Sequence, residues 1–428
     1  MSLQLILGII IFASVYVFII SGKVHRTIAA ILGAMLMITL KIIPQQKAFQ
    51  YVDWNVIFLL ISMMMLVAAI GKTGLLQYLA IKGAKIARGE PYRVMFFLIL
   101  ITALFSAFLD NVTTVVLIAP VTILIARELG ISPIPFLISD ALASNIGGTA
   151  TLIGDPPNII IGSAAHLSFI AFLKNVAPPV FLIIFILPFV MKWLMGKKMI
   201  VSYERKARIM EFDTSRIIQN IPLLKKSLII FSLVVAGFFI HEFVDLEVAT
   251  IAMIGAFSLI LSLSNRRETL RELFSKVEWT SLFFFIGFFI IVGGLVELGA
   301  IKIISTKLST LFGRNILLAS LSTLWFSGIV SSIFDNVPFV ATMIPVIKDI
   351  GAQWGTQGIT PIWWSLSLGA CLGGNITLIG AAANVVVADI SDKNGYSISF
   401  WEFTKYGALV TFINFLISSL YLWIRYLR

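Results

Sequence analysis

The chain has 428 residues, 59% of them hydrophobic and only 12% charged, with a formal net charge of +11. A soluble domain carries about 25% charged residues and one soluble core stops growing near about 300 residues, so composition and length together exclude a soluble enzyme. The single cysteine, Cys371, excludes a disulfide framework and a CxxC site, and the three histidines, His25, His166 and His241, form no HExxH-type cluster.

The first apolar run, 3–22, lacks a basic leader and is too long for a signal peptide, so it is expected to be a retained first span. Further runs predict spans near 27–43, 54–71, 136–165, 176–191, 228–244, 248–264, 279–298, 361–390 and 407–424, ten in all. Two more stretches, 94–126 and 315–347, are interrupted by Asp-Asn. Arg93 to Asp110 and Asp110 to Arg127 are 17 residues each, so each arm reaches about 25 Å against a hydrocarbon core of about 30 Å. A re-entrant hairpin with its tip inside the membrane is preferred over two short spans, and either choice returns the chain to its starting side.

The basic stretch 196–221 is the one clear linker, expected to tether topology rather than regulate. With the N-terminus outside, 23 of the 32 Lys and Arg fall on inward loops. The positive-inside rule then places both termini outside and the linker in the cytoplasm, in a multi-pass plasma (inner) membrane protein. The loop bases therefore orient the chain in a lipid bilayer, and no nucleic acid partner is expected.

The chain repeats itself. Ser106-Ala-Phe-Leu-Asp-Asn-Val-Thr-Thr-Val-Val-Leu-Ile-Ala-Pro-Val121 aligns with Ser331-Ser-Ile-Phe-Asp-Asn-Val-Pro-Phe-Val-Ala-Thr-Met-Ile-Pro-Val346, seven of sixteen positions being identical. Gly147-Gly-Thr-Ala-Thr-Leu-Ile-Gly-Asp-Pro-Pro-Asn158 aligns with Gly373-Gly-Asn-Ile-Thr-Leu-Ile-Gly-Ala-Ala-Ala-Asn384 at seven of twelve, and Val52-Asp-Trp54 with Val277-Glu-Trp279. The copies cover 1–195 and 222–428, with hairpins at 94–126 and 315–347 and broken helices at 136–165 and 361–390. Five spans plus a hairpin per copy is an odd number of crossings, so the second copy is expected to be inverted. The predicted fold is an all-α polytopic membrane protein of two inverted-topology repeats, with broken helices at the midplane, as in alternating-access transporters.

Gly147-Gly148 and Gly373-Gly374 fall near mid-membrane, where a broken helix exposes carbonyls that hold cations and a half-helix N-terminus that favours negative charge. Glycine-lined close packing is the bland alternative, against which Thr151/Thr377 and Asn158/Asn384 recur with the break. Asp110 and Asp335 precede apolar helical runs, so each is either an N-cap or a coupling carboxylate. A carboxylate at membrane depth costs at least about 2.5–3.5 kcal/mol, and no Lys or Arg lies nearby in sequence, which favours proton or sodium coupling. Asp155, replaced by Ala381 in the second copy, is a third candidate. Asp140, four residues into its span, is expected to reach water and to have no role.

At these residues the chain resembles the ion transporter superfamily, and most closely its arsenite permease and sodium/proton antiporter branch, which contains P-protein-like members. Ser106 to Pro120 and Asn145-Ile-Gly-Gly-Thr-Ala-Thr-Leu-Ile-Gly-Asp-Pro-Pro-Asn158 carry the resemblance. Sodium-coupled dicarboxylate transporters of the superfamily have Ser-Asn-Thr at their hairpin tips, where this chain has Asp110-Asn111 with Thr113, and Asp335-Asn336. The resemblance implies a scaffold and an elevator-like transport domain. It places a cation, with Na+ the possible metal ion, at Asn111 and Gly148 and at Asn336 and Gly374, beside Thr149 and Asn375.

Added carboxylates without a base in the motifs disfavour a dicarboxylate anion and favour a cation or a neutral hydroxide. The expected function is ion-coupled efflux, with arsenite or antimonite export coupled to protons as the leading reading. Sodium/proton antiport is the alternative, and a sodium-coupled carboxylate or other small-solute transporter a further one. A passive channel would not need matched acidic tips, and an enzyme would need a nucleophile or metal cluster that the chain lacks. No cofactor is expected beyond H+ or Na+ as coupling ion. A homodimer, or a soluble ATPase subunit, is conceivable as partner, though no sequence feature indicates either.

Overall fold

The computed structural model describes residues 3–196, 199–214, 217–263, 266–355 and 357–427. Lys197, Lys198, Arg216 and Arg428, which entered the loop-charge count, lie outside the described residues. The described residues are helical, without a strand. The first half runs Leu3–Ser21, Arg26–Thr39, Gln45–Gln50, Trp54–Gly71, Leu75–Ile86, Pro91–Ser106, Asn111–Leu129, Ile134–Thr149, Pro156–Ala165, Phe169–Asn175 and Ala177–Met195. The second runs Ile221–Ile240, Val248–Ser262, Arg266–Ser275, Trp279–Glu297, Ala300–Phe312, Ile316–Ile333, Asn336–Trp354, Thr360–Gly373, Ala382–Lys393 and Phe400–Leu422. Helix for helix the order recurs, apart from Phe169–Asn175 in the first half.

Eight helices among the described residues are long and apolar enough to cross a membrane, where the apolar runs suggested ten spans. The difference has three sources. Arg26–Thr39 and Val248–Ser262 have only 14 and 15 residues. The runs 136–165 and 361–390 are each two helices, broken over 150–155 and 374–381. One arm of each hairpin joins the count, Asn111–Leu129 in the first and Ile316–Ile333 in the second. With 19 and 18 residues, these arms are about 28 and 27 Å long, close to a full crossing.

Outward faces carry the apolar surface that the composition demanded. Phe189 is 68% exposed and Trp193 77%, the pattern of side chains facing lipid rather than water. By contrast, every residue from Pro135 to Thr149 is buried, as is every residue from Pro361 to Gly373. These two helices pack on each other at the centre. Ile134–Thr149 also lies against hairpin arm Pro91–Ser106, and Thr360–Gly373 against Ile316–Ile333. A second group of contacts crosses the halves, with Arg26–Thr39 on Trp279–Glu297 and Val248–Ser262 on Trp54–Gly71.

The linker holds a helix of its own, Tyr203–Glu211, in which Ile209 is buried. It is fastened to the first half by the Lys206–Glu90 ion pair and by Lys85 Nζ donating to the Phe212 carbonyl at 2.5 Å.

Candidate functional site

Each hairpin turns by ending one helix and capping the next with aspartate. Asp110 Oδ1 accepts from Thr113 N at 2.9 Å, and Asp335 Oδ1 from Val337 N at 3.3 Å. The N-cap alternative for both residues is therefore real, yet it uses only one oxygen of each carboxylate. Asp110 Oδ2 is buried without a partner. Asp335 Oδ2 takes an ion pair from Arg26, 309 residues away in sequence. No base lies near Asp335 in sequence, yet the fold brings it one, since separation along the chain hides contacts between helices.

Facing the tips are the two helix breaks, which are built alike. Asn158 Nδ2 donates to the carbonyls of Thr149 and Thr151 at 3.0 and 2.9 Å, while Asn384 Nδ2 donates to those of Gly374 and Thr377 at 2.9 and 3.0 Å. Each asparagine thus satisfies carbonyls that the unwound segment has freed. Thr151 Oγ1 donates to the Ala107 carbonyl of the first hairpin, and Thr377 Oγ1 to the Ser332 carbonyl of the second at 2.5 Å. The recurrent Thr and Asn residues therefore hold the breaks shut and tie them to the hairpin tips.

The glycines allow close backbone packing at both breaks. A Cβ on Gly147 would lie 2.2 Å from the Ala103 carbonyl oxygen, and one on Gly373 2.4 Å from that of Gly328, so helix and hairpin arm touch through backbone. Gly148 and Gly374 face the far ends of their breaks, Gly154 and Gly380, with a Cβ at 2.9 and 3.0 Å from those carbonyls.

Asn145 joins the halves. Its Nδ2 donates to Asn375 Oδ1 at 2.7 Å and to Asn384 Oδ1 at 2.9 Å, and Asn375 Nδ2 returns to the Leu142 carbonyl at 3.2 Å. Asn158 Oδ1 accepts from Ser367 Oγ at 2.6 Å, a second link between the halves. Asn111, with its amide nitrogen toward Gly154 O at 3.3 Å and Ser144 O at 3.1 Å, fastens the first tip to the first break.

These elements enclose a cavity of about 80 Å³, room for a few water molecules or one small solute. Asp110, Asn111, Asn145, Asp155, Asp335 and Asn336, singled out in the sequence, line it. Gly147, Gly148, Thr149, Thr151, Asn158, Gly373, Gly374, Asn375, Thr377, Asn384 and Thr113 stand behind that wall. Arg26, Glu278 and Ser281 are the further polar residues of the lining and were missed. Arg26 had been counted as a loop base, and Glu278 entered only through its match to Asp53, although an acid recurring ahead of Trp was a usable signal. Ser281 Oγ lies 3.1 Å from Glu278 Oε2 and 3.2 Å from Arg26 Nη2.

Four carboxylates and one guanidinium thus share one small cavity. Asp155 caps nothing through its side chain, and its Oδ2 is buried without a partner. Among the described residues no three His, Cys, Asp or Glu converge as a metal-ligand set. The cavity is also where helix N-termini meet, at Asn111, Pro156, Asn336 and Ala382, each presenting the positive end of its dipole. Three of the four have aspartate at the cap, and the last has Ala381.

Asp140 does not line this cavity, nor does it reach water. It is fully buried, accepting from Thr122 Oγ1 at 2.7 Å and Thr102 Oγ1 at 3.4 Å. Counting four residues from a span end missed the hairpin arms that cover it.

A family model described as citrate transporter (CitMHS) matches residues 16–369. An uncharacterized transporter of Mycobacterium tuberculosis is 42% identical over 426 residues, which cover 98% of each chain. The P protein of Homo sapiens is 32% identical over 502 residues, with 98% of this chain but 60% of that protein covered, so this chain spans about three fifths of it. In fold alone, the chain is similar to the YdaH transporter of Alcanivorax borkumensis, whose crystal structure is described as revealing an unusual topology. The two share 17% identity and a TM-score of 0.57 over 86% of this chain and 84% of that one.

Proposed function

The chain belongs to the citrate transporter family, a multi-pass membrane transporter of the ion transporter type, and from that premise we propose that it is an ion-coupled secondary transporter. Its coupling ion is H+ or Na+, its coupling carboxylates are Asp110 and Asp335, and Asp155 is the third acid of the site. The two copies, 1–195 and 222–428, act as inverted repeats. Their hairpins and broken helices form the body that moves, against a scaffold containing Arg26–Thr39 and Trp279–Glu297. Both termini face outward from the plasma membrane.

One observation carries this reading. Four carboxylates against one guanidinium in a cavity of about 80 Å³ make a site whose excess of negative charge favours taking up cations or protons. A small neutral hydroxide fits the remaining space and hydrogen-bonding groups, so export of arsenite or antimonite in exchange for protons is the leading reading, with sodium/proton antiport by the same acids as the alternative.

A carboxylate substrate, as the family description suggests, is favoured by a different observation. Arg26 and the helix N-terminus at Ala382, whose cap is Ala381, are the two features of the cavity that attract an anion. Such a substrate would need a cation beside it to offset the four acids.

The test is a solute panel on purified protein in sealed vesicles with an imposed pH gradient. Arsenite, antimonite, Na+, Li+, citrate and succinate are added singly. Dissipation by arsenite or antimonite alone supports metalloid/proton exchange, and dissipation by Na+ or Li+ alone supports cation antiport. A response to citrate or succinate alone replaces the efflux reading with the carboxylate one.

A further inference from the structure

The two hairpin tips have the same Asp-Asn sequence and the same capping role, yet their outer oxygens meet different surroundings. Asp110 Oδ2 has no partner, whereas Asp335 Oδ2 holds Arg26. The helix that recurs for Arg26–Thr39 in the second half, Val248–Ser262, starts Val248-Ala-Thr-Ile251 after Glu247 and carries no base in its first turn, so the second half does not offer Asp110 the same partner.

Arg26 is also the first residue of its own helix, where a positive charge opposes the helix dipole. Its position is therefore set by its partners and not by its helix. The guanidinium reaches Asp335 with Nη1 and Ser281 with Nη2, and its Cζ lies 5.3 Å from the centre of the Phe284 ring. Arg26 rides on a helix packed against Trp279–Glu297, while Asp335 rides on a hairpin tip. The pair is partly open to solvent, 32% and 22% exposed, so an ion from solution can compete for it. A second resting place is ready for the arginine, because Ser281 Oγ touches both its Nη2 and Glu278.

We propose that Arg26 is a tethered counter-cation that occupies the cation position at Asp335 in the unloaded protein, so that a coupling cation loads by displacing the guanidinium toward Glu278. This rests on the ion-coupled reading above and adds to it the residue that competes with the ion. The arrangement gives the empty site a neutralised carboxylate without a bound ion. It also makes the two halves inequivalent, with one tip competing with arginine for its cation and the other not.

The test reads cation binding without transport. Purified full-length protein in detergent is melted in NaCl, LiCl or choline chloride at fixed ionic strength, and across pH, for wild type, Arg26→Gln and Arg26→Lys. Wild type is expected to be stabilised by at least one of Na+, Li+ or H+. Arg26→Gln lowers the half-saturating concentration of that cation about fivefold, the upper end of what a partly exposed competing ion pair is worth. Arg26→Lys, which keeps the competitor, stays within about threefold of wild type and yields an answer even where Arg26→Gln does not fold; a drop as large as that expected for Arg26→Gln overturns the proposal. The shift also requires Asp335, so Arg26→Gln has no such effect in the Asp335→Asn background. A half-saturating concentration that is unchanged or higher in Arg26→Gln overturns the proposal and leaves the ion-coupled reading standing. Wild type that responds to none of the three cations overturns both.

Discussion

Asn145 makes the plainest case at the scale of single residues. One side-chain amide serves the side-chain oxygens of Asn375, within the second break, and of Asn384, on the helix that follows it. Removing it by Asn145→Ala strands two buried carbonyl oxygens, each at a cost of about 1–3 kcal/mol. The melting midpoint of the purified protein is expected to fall by several degrees, whereas an unchanged midpoint would show that water replaces the amide. The motif in which Asn145 stands was legible in sequence, but its partners were not, since they lie 230 and 239 residues away. The same separation concealed Arg26. Its formal role in the loop-charge count was correct bookkeeping of charge along the chain and silent about the carboxylate it meets.

Elements were legible where a local rule decides them. Asp-Asn at the hairpin tips, Gly-Gly at the breaks and Pro120 and Pro345 at matching places in the second arms all appear where the repeat put them. Arm lengths were not, because a charged residue can sit inside a helix without ending it: Arg127 lies in the last turn of Asn111–Leu129, and Lys348 lies well before the end of Asn336–Trp354. The short helices Leu75–Ile86 and Ala300–Phe312 were also unannounced, since both are half polar and neither makes an apolar run of spanning length. Their recurrence is marked by Gly74 and Gly299, each in the left-handed region at φ 78° and 74°. At this scale the glycine contacts make a sharp prediction. Gly147→Ala drives a methyl into the Ala103 backbone, where only movement of a whole helix can relieve it, and overpacking of this kind costs about 1–3 kcal/mol or more. The variant is expected to melt lower and to yield less folded protein, whereas Gly358→Ala, whose Cβ meets nothing within 4 Å, leaves the midpoint where it was. Equal midpoints for the two would mean that the helix and the hairpin arm do not touch as closely as described.

Across the whole molecule, composition pointed to membrane residence, and self-alignment matched the hairpin tips and helix breaks of the two halves. Neither could reveal which helices of one half pack on which of the other, because those contacts depend on how the halves interlock. That interlock brings Asp110, Asp155, Glu278 and Asp335 to one cavity, with Asp140 placed elsewhere as a buried acceptor for two threonines. In the proposed function, Asp110 and Asp335 couple cation movement to transport. The measurement that tests it is the rate at which sealed vesicles holding purified protein dissipate an imposed pH gradient when the effective solute is added, compared among wild type, Asp110→Asn, Asp335→Asn and Asp140→Asn. The account predicts that Asp110→Asn and Asp335→Asn each lose at least about tenfold in rate, more than about 1.4 kcal/mol, while Asp140→Asn stays within about threefold of wild type. Wild-type rates in both tip variants, or loss in Asp140→Asn alone, would contradict it.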